Sequence, residues 1–198
     1  EALFEDALIH GYRKIIELKP DLAEAYNNLS NTLKEQLKFN EAEENSRKAI
    51  ALKPEYVDAH YNMGIILYEQ RKFNEAEESY RKVIALKSNH AEAFNNLSNT
   101  LKEQGRINEA EESCRKSITL KPDHVEAYNN LGVLFHEQQK FNDAEASYKT
   151  AISLKPDYHL AYSNLGNTLE ELGRLEEAIA NYNKAIEFKA DFSSAYHN

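Results

Sequence analysis

The sequence predicts an all-α protein, a solenoid of stacked helix-turn-helix units, and three observations carry that reading. The tripeptide Leu-Lys-Pro or a variant of it recurs every 34 residues, at 18–20, 52–54, 86–88, 120–122, 154–156 and 188–190. Spacing that never slips leaves no room for an inserted domain and marks a repeat array. Each unit then divides into two stretches whose apolar residues fall three and four apart, the period of a helix. Finally, one helical hairpin would leave an apolar face wet, so the units must stack on one another.

Taken in order, residues 1–22 ("EALFEDALIHGYRKIIELKPDL") read as the second helix of a preceding unit. Five complete units follow at 23–56, 57–90, 91–124, 125–158 and 159–192, and residues 193–198 read as the start of a further first helix. In the first complete unit, the first helix spans about 24–36 and buries Tyr26, Leu29 and Leu33. The turn "LKFN" leads into a second helix over about 41–52, which buries Ala42, Ala49 and Ile50 and ends before a proline that cannot continue it. Gly105 and Gly173 suit the left-handed conformation that ends a first helix. Leu37, Arg71 and Gln139 hold that place in the other copies, at a cost in stability. Small residues recur at Ser30, Gly64, Ser98, Gly132 and Gly166, and again at Ala42, Ala76, Ala110, Ala144 and Ala178. They mark where two helices approach closely. Phe39, Phe73, Ile107, Phe141 and Leu175 fill the space beside the turns.

Composition narrows the classes of function. With 41% hydrophobic and 29% charged residues among 198, the chain has the balance of an ordered, soluble protein. No apolar run approaches the length of a membrane span. A net charge of −9 argues against nucleic acid or an anionic membrane as the main partner. A single cysteine, Cys114, excludes an internal disulfide and a cysteine-built zinc site, and its position among core tyrosines reads as a small buried hydrophobe. No His-x-x-x-His pair, glycine-rich phosphate loop or nucleophile elbow is present, so no metal, cofactor or catalytic role is expected. Because the chain opens within a repeat, its start is expected to be an internal boundary that carries no targeting information. The compartment is left open, with the cytoplasm favoured.

The pattern aromatic-x-x-Leu-Gly/Ser-x-x-Leu, then Ala, then Tyr/Ser and Ala, then Pro, at this period resembles the tetratricopeptide repeat. The copy starting at Ala91 departs from it, with Cys114 and Ser117 where Tyr and Ala are favoured. The resemblance implies a right-handed superhelix with first helices on the concave surface and second helices on the convex one. The style "NNLGN…LKEQGR" is similar to the arrays of O-linked N-acetylglucosamine transferases and of many bacterial transferases. Many functions share this fold.

Asparagine is a mediocre helix former, yet Asn28, Asn62, Asn96, Asn130 and Asn164 hold one place in five first helices, and Asn198 begins a sixth rung. They fall at the edge of the buried stripe, facing the groove. A side-chain amide satisfies both sides of a peptide bond. Packed helices lie roughly 8–10 Å apart and an extended chain advances about 3.3 Å per residue, so each rung meets about every third residue of a bound strand. In the transferase family that this chain resembles, asparagines at the matching position hold the backbone of an extended peptide. The competing explanation is that each amide ties neighbouring helices together, and the two are compatible.

Other expected groove positions set selectivity. Glu24, Asp58, Glu92 and Glu126 form an acidic row, broken at Leu160. Good placement at a helix N-terminus explains that row equally well. Tyr56, His90, His124, Tyr158 and Phe192 form an aromatic row. Asn27, Tyr61, Asn95 and Asn129 join them, with Asn31, Asn99 and Asn167 one turn further on. Repeat domains that clamp the C-terminal carboxylate of cytosolic chaperones carry lysines and an arginine at these positions. Glu24, Asn27, Asp58, Asn95 and Glu92 stand there instead, so a chaperone clamp is excluded. Acid-first pairs four apart, Glu43–Arg47, Glu44–Lys48, Glu77–Arg81, Glu78–Lys82 and Glu111–Arg115, read as a solvated convex face.

The expectation is therefore a non-catalytic interaction scaffold that binds an extended, polar or basic polypeptide in its concave groove. The rival expectations are a substrate-recruiting arm of a larger glycosyl- or sulfotransferase, and a scaffold that self-associates end to end through its terminal repeats.

Overall fold

A computed structural model describes the backbone of residues 2–195 and the side chains of residues 6–189. Among the described residues all regular structure is helical: α1 (Ala2–Leu18), α2 (Ala23–Glu35), α3 (Phe39–Leu52), α4 (Val57–Glu69), α5 (Phe73–Leu86), α6 (Ala91–Glu103), α7 (Ile107–Leu120), α8 (Val125–Glu137), α9 (Phe141–Leu154), α10 (His159–Glu171) and α11 (Leu175–Ala195). The chain falls into two compact units, Glu1–Gln104 and Gly105–Asn198.

In the first unit α2 with α3 and α4 with α5 form hairpins. The helix α1 packs on α2, α3 on α4 and α5 on α6, while the first helices also touch directly, α2 with α4 and α4 with α6. Its core gathers Ile9, Leu29, Leu33, Ala42 and Ile66, with Tyr12, Ile16 and Phe39 packed alongside. The second unit repeats the scheme: α8 with α9 and α10 with α11 form hairpins, α7 packs on α8, α9 on α10, and α8 touches α10.

The hairpin turns are set by backbone conformation. Leu37, Arg71 and Gln139 have φ of 59°, 61° and 59°, and Gly105 and Gly173 have 76° and 73°, all in the left-handed region. Around Leu37 the Lys38 N–H reaches the Leu33 carbonyl and the Leu37 N–H the Lys34 carbonyl, each at 2.9 Å. That bonding closes the C-terminus of α2 and recurs after α4, α8 and α10. The conformation is required whatever residue stands there, and only glycine adopts it without steric cost.

The close approach inside a hairpin is solved in two ways. A Cβ on Gly64, Gly132 or Gly166 would lie 2.6, 2.5 or 2.5 Å from a ring carbon of Tyr80, Tyr148 or Tyr182. In the first hairpin Ser30 and Ser46 meet instead, their hydroxyls 2.7 Å apart and both buried. Gly faces Tyr, and Ser faces Ser: in each pair no large side chain stands opposite another.

The last helix departs from the sequence expectation. The period places a turn near 189–192 and a new first helix from 193, but α11 is continuous from Leu175 to Ala195. Ala190, a strong helix former, stands where the other copies have proline or serine. Residues 196–198, including Asn198, and the Phe192 side chain lie outside the described residues.

Candidate functional site

The asparagine row sits at the seams between first helices. Asn62 on α4 donates from its amide to the Asn27 side-chain carbonyl on α2 at 3.0 Å. Asn96 on α6 donates to the Tyr61 hydroxyl on α4 at 3.1 Å. In the second unit Asn164 on α10 donates to the Asn129 carbonyl on α8 at 2.9 Å. Each of these three bonds to the residue one step before its counterpart in the preceding hairpin. Asn28 is exposed, and Asn62, Asn96, Asn130 and Asn164 are half-buried. One amide hydrogen of Asn62 is committed to the seam; a carbonyl and a second hydrogen remain on the same group.

Three expected contact residues are buried. Asn27, Asn95 and Asn129 are each only 6% exposed, and Asn27 and Asn129 point at the neighbouring first helix instead of at open solvent. Asn27 and Asn129 serve as acceptors for the next asparagine. Tyr61, half-buried, receives Asn96, stacks at 4.9 Å on His90 and meets Tyr80 edge-on at 6.1 Å. Burial pushes its phenol above the ordinary range, and Glu92 adds to this.

The residues preceding the first helices act locally. His90 accepts from the Ala93 N–H at 3.3 Å and so caps α6. Burial holds its imidazole below the usual range, against the pull of Glu92. His124 is 5% exposed, tied to the Ser117 hydroxyl at 2.8 Å, and does not face a groove. The sequence expectation for it is corrected by the small Ser117, which opens room for the ring. Tyr56 and Tyr158 lie half-buried beneath Lys53 and Lys155 ammonium groups, at 4.6 and 5.6 Å from the ring centres. Burial and Glu126 push the Tyr158 phenol up to about 12.

Glu24, Asp58 and Glu126 are exposed and Glu92 half-exposed, each in the first turn of its helix. The Glu24 carboxyl is held low first by its own backbone N–H and then by Lys53, 3.0 Å away. Favourable placement at a helix start accounts for this acid without a ligand. Asn31 is engaged by Lys34 at 2.7 Å and reaches Glu35 at 3.0 Å. Asn99 lines an open pocket of about 240 Å³ with Ile65, Tyr68, Glu69, Tyr80 and Asn96.

Sequence reasoning missed two sets of residues. The C-terminal glutamines of the first helices form a second seam: Gln36 donates to Asp6, Gln70 to Asn40, Gln104 to Asn74 and Gln138 to Glu111, at 3.0–3.2 Å. Their strict 34-residue recurrence was the available signal. Acids of the second helices, Glu43 of an expected pair and Glu145 outside them, also do more than support one helix. Glu43 bonds Arg47 at 2.7 Å and Lys72 of the next hairpin at 2.8 Å, and Glu145 bonds Lys149 and Arg174, both at 2.7 Å. Lys48, expected to pair with Glu44, lies over the Tyr26 ring at 5.7 Å. Among the described residues no three metal-ligating side chains gather, and no helix is long and apolar enough to cross a membrane.

These hairpins, with their periodic seams, define a helical-repeat solenoid protein. A TPR repeat model matches residues 31–71, 98–139 and 134–173, and tetratricopeptide repeat models match 57–90, 159–192 and 79–112. The chain belongs to the tetratricopeptide repeat family. No curated protein matches it. Among solved structures it is similar to MamA from Desulfovibrio magneticus RS-1, at 20% identity over 85% of this chain and 96% of that one, with a TM-score of 0.74. It is also similar to YrrB, described as a TPR protein with an unusual peptide-binding site (22% identity, 94% and 96% coverage, TM-score 0.68). A chain of the APC/C hetero-tetramer Cut9–Hcn1 is similar at 17% identity over 94% of this chain and 37% of that one, with a TM-score of 0.83. At these identities the likeness establishes the fold.

Proposed function

We propose that this chain is a non-catalytic protein-interaction scaffold that holds an extended polypeptide against its first helices. The observation that carries the reading is the row of half-buried amides at the seams, Asn62, Asn96 and Asn164, each with bonding capacity left after its helix-to-helix bond. The seam bond fixes the amide plane, so a peptide backbone meets groups that are already oriented, which lowers the entropy cost of binding. Asn28 and Asn130 complete the row. Tyr61, Asn31 and Asn99 flank it, and Glu24, Asp58, Glu92 and Glu126 bias the surface towards basic segments. Asn27 and Asn129 act by holding the row in place, and Asn95 stands at the matching position of α6. YrrB, with its peptide-binding site, gives the reading support by analogy of fold alone.

The test is binding of an array of extended peptides to the wild type and to a variant with Asn62, Asn96 and Asn130 changed to alanine, at a temperature where both are folded by circular dichroism. Loss of binding supports the reading; equal binding by the two proteins removes it.

A second reading has its own observation. Leu175, Ile179 and Ile186 on α11 are 58%, 60% and 67% exposed, an apolar stripe on one helix face. Ile179 stands where the earlier second helices carry Glu43, Glu77, Glu111 and Glu145. End-to-end self-association would cover that stripe. Sedimentation that stays monomeric as concentration rises to the millimolar range rules it out.

A further inference from the structure

The open pocket beside Asn96 has a counterpart in the second unit. Ile65, Tyr68, Glu69, Tyr80, Asn96 and Asn99 surround about 240 Å³. Val133, His136, Glu137, Tyr148, Asn164 and Asn167, each 68 residues further on, surround about 140 Å³. Both pockets belong to hairpins in which glycine faces tyrosine. The floor of each pocket is the tyrosine that packs on Gly64 or Gly132, and one wall is the aromatic ring or imidazole one position before the helix end, Tyr68 or His136.

The first hairpin carries the other solution. Ser46 replaces the floor tyrosine, and Lys34 stands where Tyr68 stands in the next hairpin. Lys34 places its ammonium on the Asn31 carbonyl at 2.7 Å, beside Glu35. There the protein supplies its own cation to the amide-and-carboxylate surface. In the second hairpin Tyr68 removes that cation and leaves the acid. Among the described residues Glu69 makes no ion pair; burial first and then Glu103 raise the Tyr68 phenol, Glu69 adds to this against Lys102 and Arg71, and Glu69 also acts on Tyr80.

We infer that the pocket formed by Tyr68, Glu69, Tyr80, Asn96 and Asn99 receives an arginine side chain of the bound polypeptide. This rests on the reading above and names the chemistry of its partner. The pocket offers a carboxylate, amide carbonyls and phenol oxygens to a donor-only group, an aromatic face for a planar cation, and Ile65 for an aliphatic stem. Arginine fits better than lysine. The half-buried Lys34 shows that this surface desolvates an amine, since burial is the leading influence on its ionisation and lowers its pKa. A guanidinium is more weakly hydrated and spreads its charge over five donors. The smaller second pocket is a weaker version of the site, because the Asn167 carbonyl already accepts from the Tyr182 hydroxyl at 2.8 Å.

The test uses fluorescein-labelled extended octapeptides of serine, threonine and alanine with one central variable residue: arginine, lysine, citrulline or leucine. Binding is read by anisotropy on the whole chain, on Glu69→Gln and on Tyr68→Lys. The wild type should bind the arginine peptide about tenfold more tightly than the citrulline peptide, the scale of one charge-assisted hydrogen bond. Glu69→Gln should bring the two affinities together without moving the unfolding midpoint, because Glu69 is exposed and unpaired. Tyr68→Lys, which supplies an internal amine as in the first hairpin, should abolish the arginine preference while leaving citrulline binding. Equal binding of arginine and citrulline peptides by the wild type overturns the arginine site while leaving backbone binding intact. Failure of every peptide to bind at millimolar concentration overturns both.

Discussion

Changing Asn62 to alanine separates the two roles of the row. In the native protein the Asn62 amide donates to the Asn27 carbonyl at 3.0 Å, and Asn27 is 6% exposed. Truncation leaves a buried acceptor short of a donor, which costs about 1–3 kcal/mol. Alanine recovers roughly 0.6 kcal/mol of helix propensity. The net destabilisation is therefore about 0.5–2.5 kcal/mol. Asn28 is the internal control. It holds the same place in α2 but is exposed and shows no seam bond from its side chain, so Asn28→Ala should be neutral or stabilising by roughly 0.5 kcal/mol. Urea unfolding followed by circular dichroism reads both variants. Pairing Asn62→Ala with Asn27→Ala should give a loss smaller than the sum of the single losses, since both remove one bond. If Asn62→Ala proves as stable as Asn28→Ala, or if the pair is additive, the seam bond contributes nothing and the row has no structural duty.

Further outcomes follow from the same geometry. Leu37→Gly should raise stability by about 0.5–1 kcal/mol, because Leu37 is 72% exposed at a φ of 59°, whereas Gly105→Ala should lower it by about 1 kcal/mol; chemical denaturation distinguishes the signs. Gly64→Ala should destabilise despite better helix propensity, since its Cβ falls 2.6 Å from the buried Tyr80 ring, and overpacking costs about 1–3 kcal/mol against a gain of about 1 kcal/mol. Stability should fall on acidification in two stages. Burial holds His90 below 6.5, so the unfolded chain takes up its proton first and stability declines as pH drops below about 6.5. Burial opposes ionisation of Glu43 and Glu145, but Lys72 with Arg47, and Lys149 with Arg174, hold both below the usual glutamate range of about 4.3, so their contribution, present above that pH, is lost as pH falls further. Thermal melts between pH 3 and pH 8 should show both steps, and Glu43→Gln with Glu145→Gln should flatten only the lower one.

The hairpins were legible because their signals are local. A 34-residue period, Lys-Pro stops and small residues at fixed places dictate two helices and a turn, and Leu37, Arg71 and Gln139 adopt the left-handed turn foreseen for them. What faces a neighbouring hairpin was less legible. Adjacent helix positions differ by about 100°, so Asn27 and Asn28 lie on either side of a boundary that only the position of the next hairpin defines. Asn27 falls inside it and Asn28 outside. The pocket was hidden for a related reason. Tyr68, Glu69 and Tyr80 sit at positions that carry Lys34, Glu35 and Ser46 one unit earlier, so a search for invariant positions passes over the variation that opens it. The extension of α11 past Ala190 was not legible from a missing proline, because α5 stops at Leu86 with Ser88 in that place.

Side-chain amide resonances of the asparagines give the most direct reading of peptide capture. In a ¹⁵N-labelled sample titrated with an extended arginine-containing peptide, the NH₂ signals of Asn62, Asn96 and Asn164 should shift together and saturate at one affinity, while signals from the exposed faces of α3, α5 and α9 stay in place. Saturable shifts confined to those second helices, with the three amides unmoved, would contradict binding along the first helices.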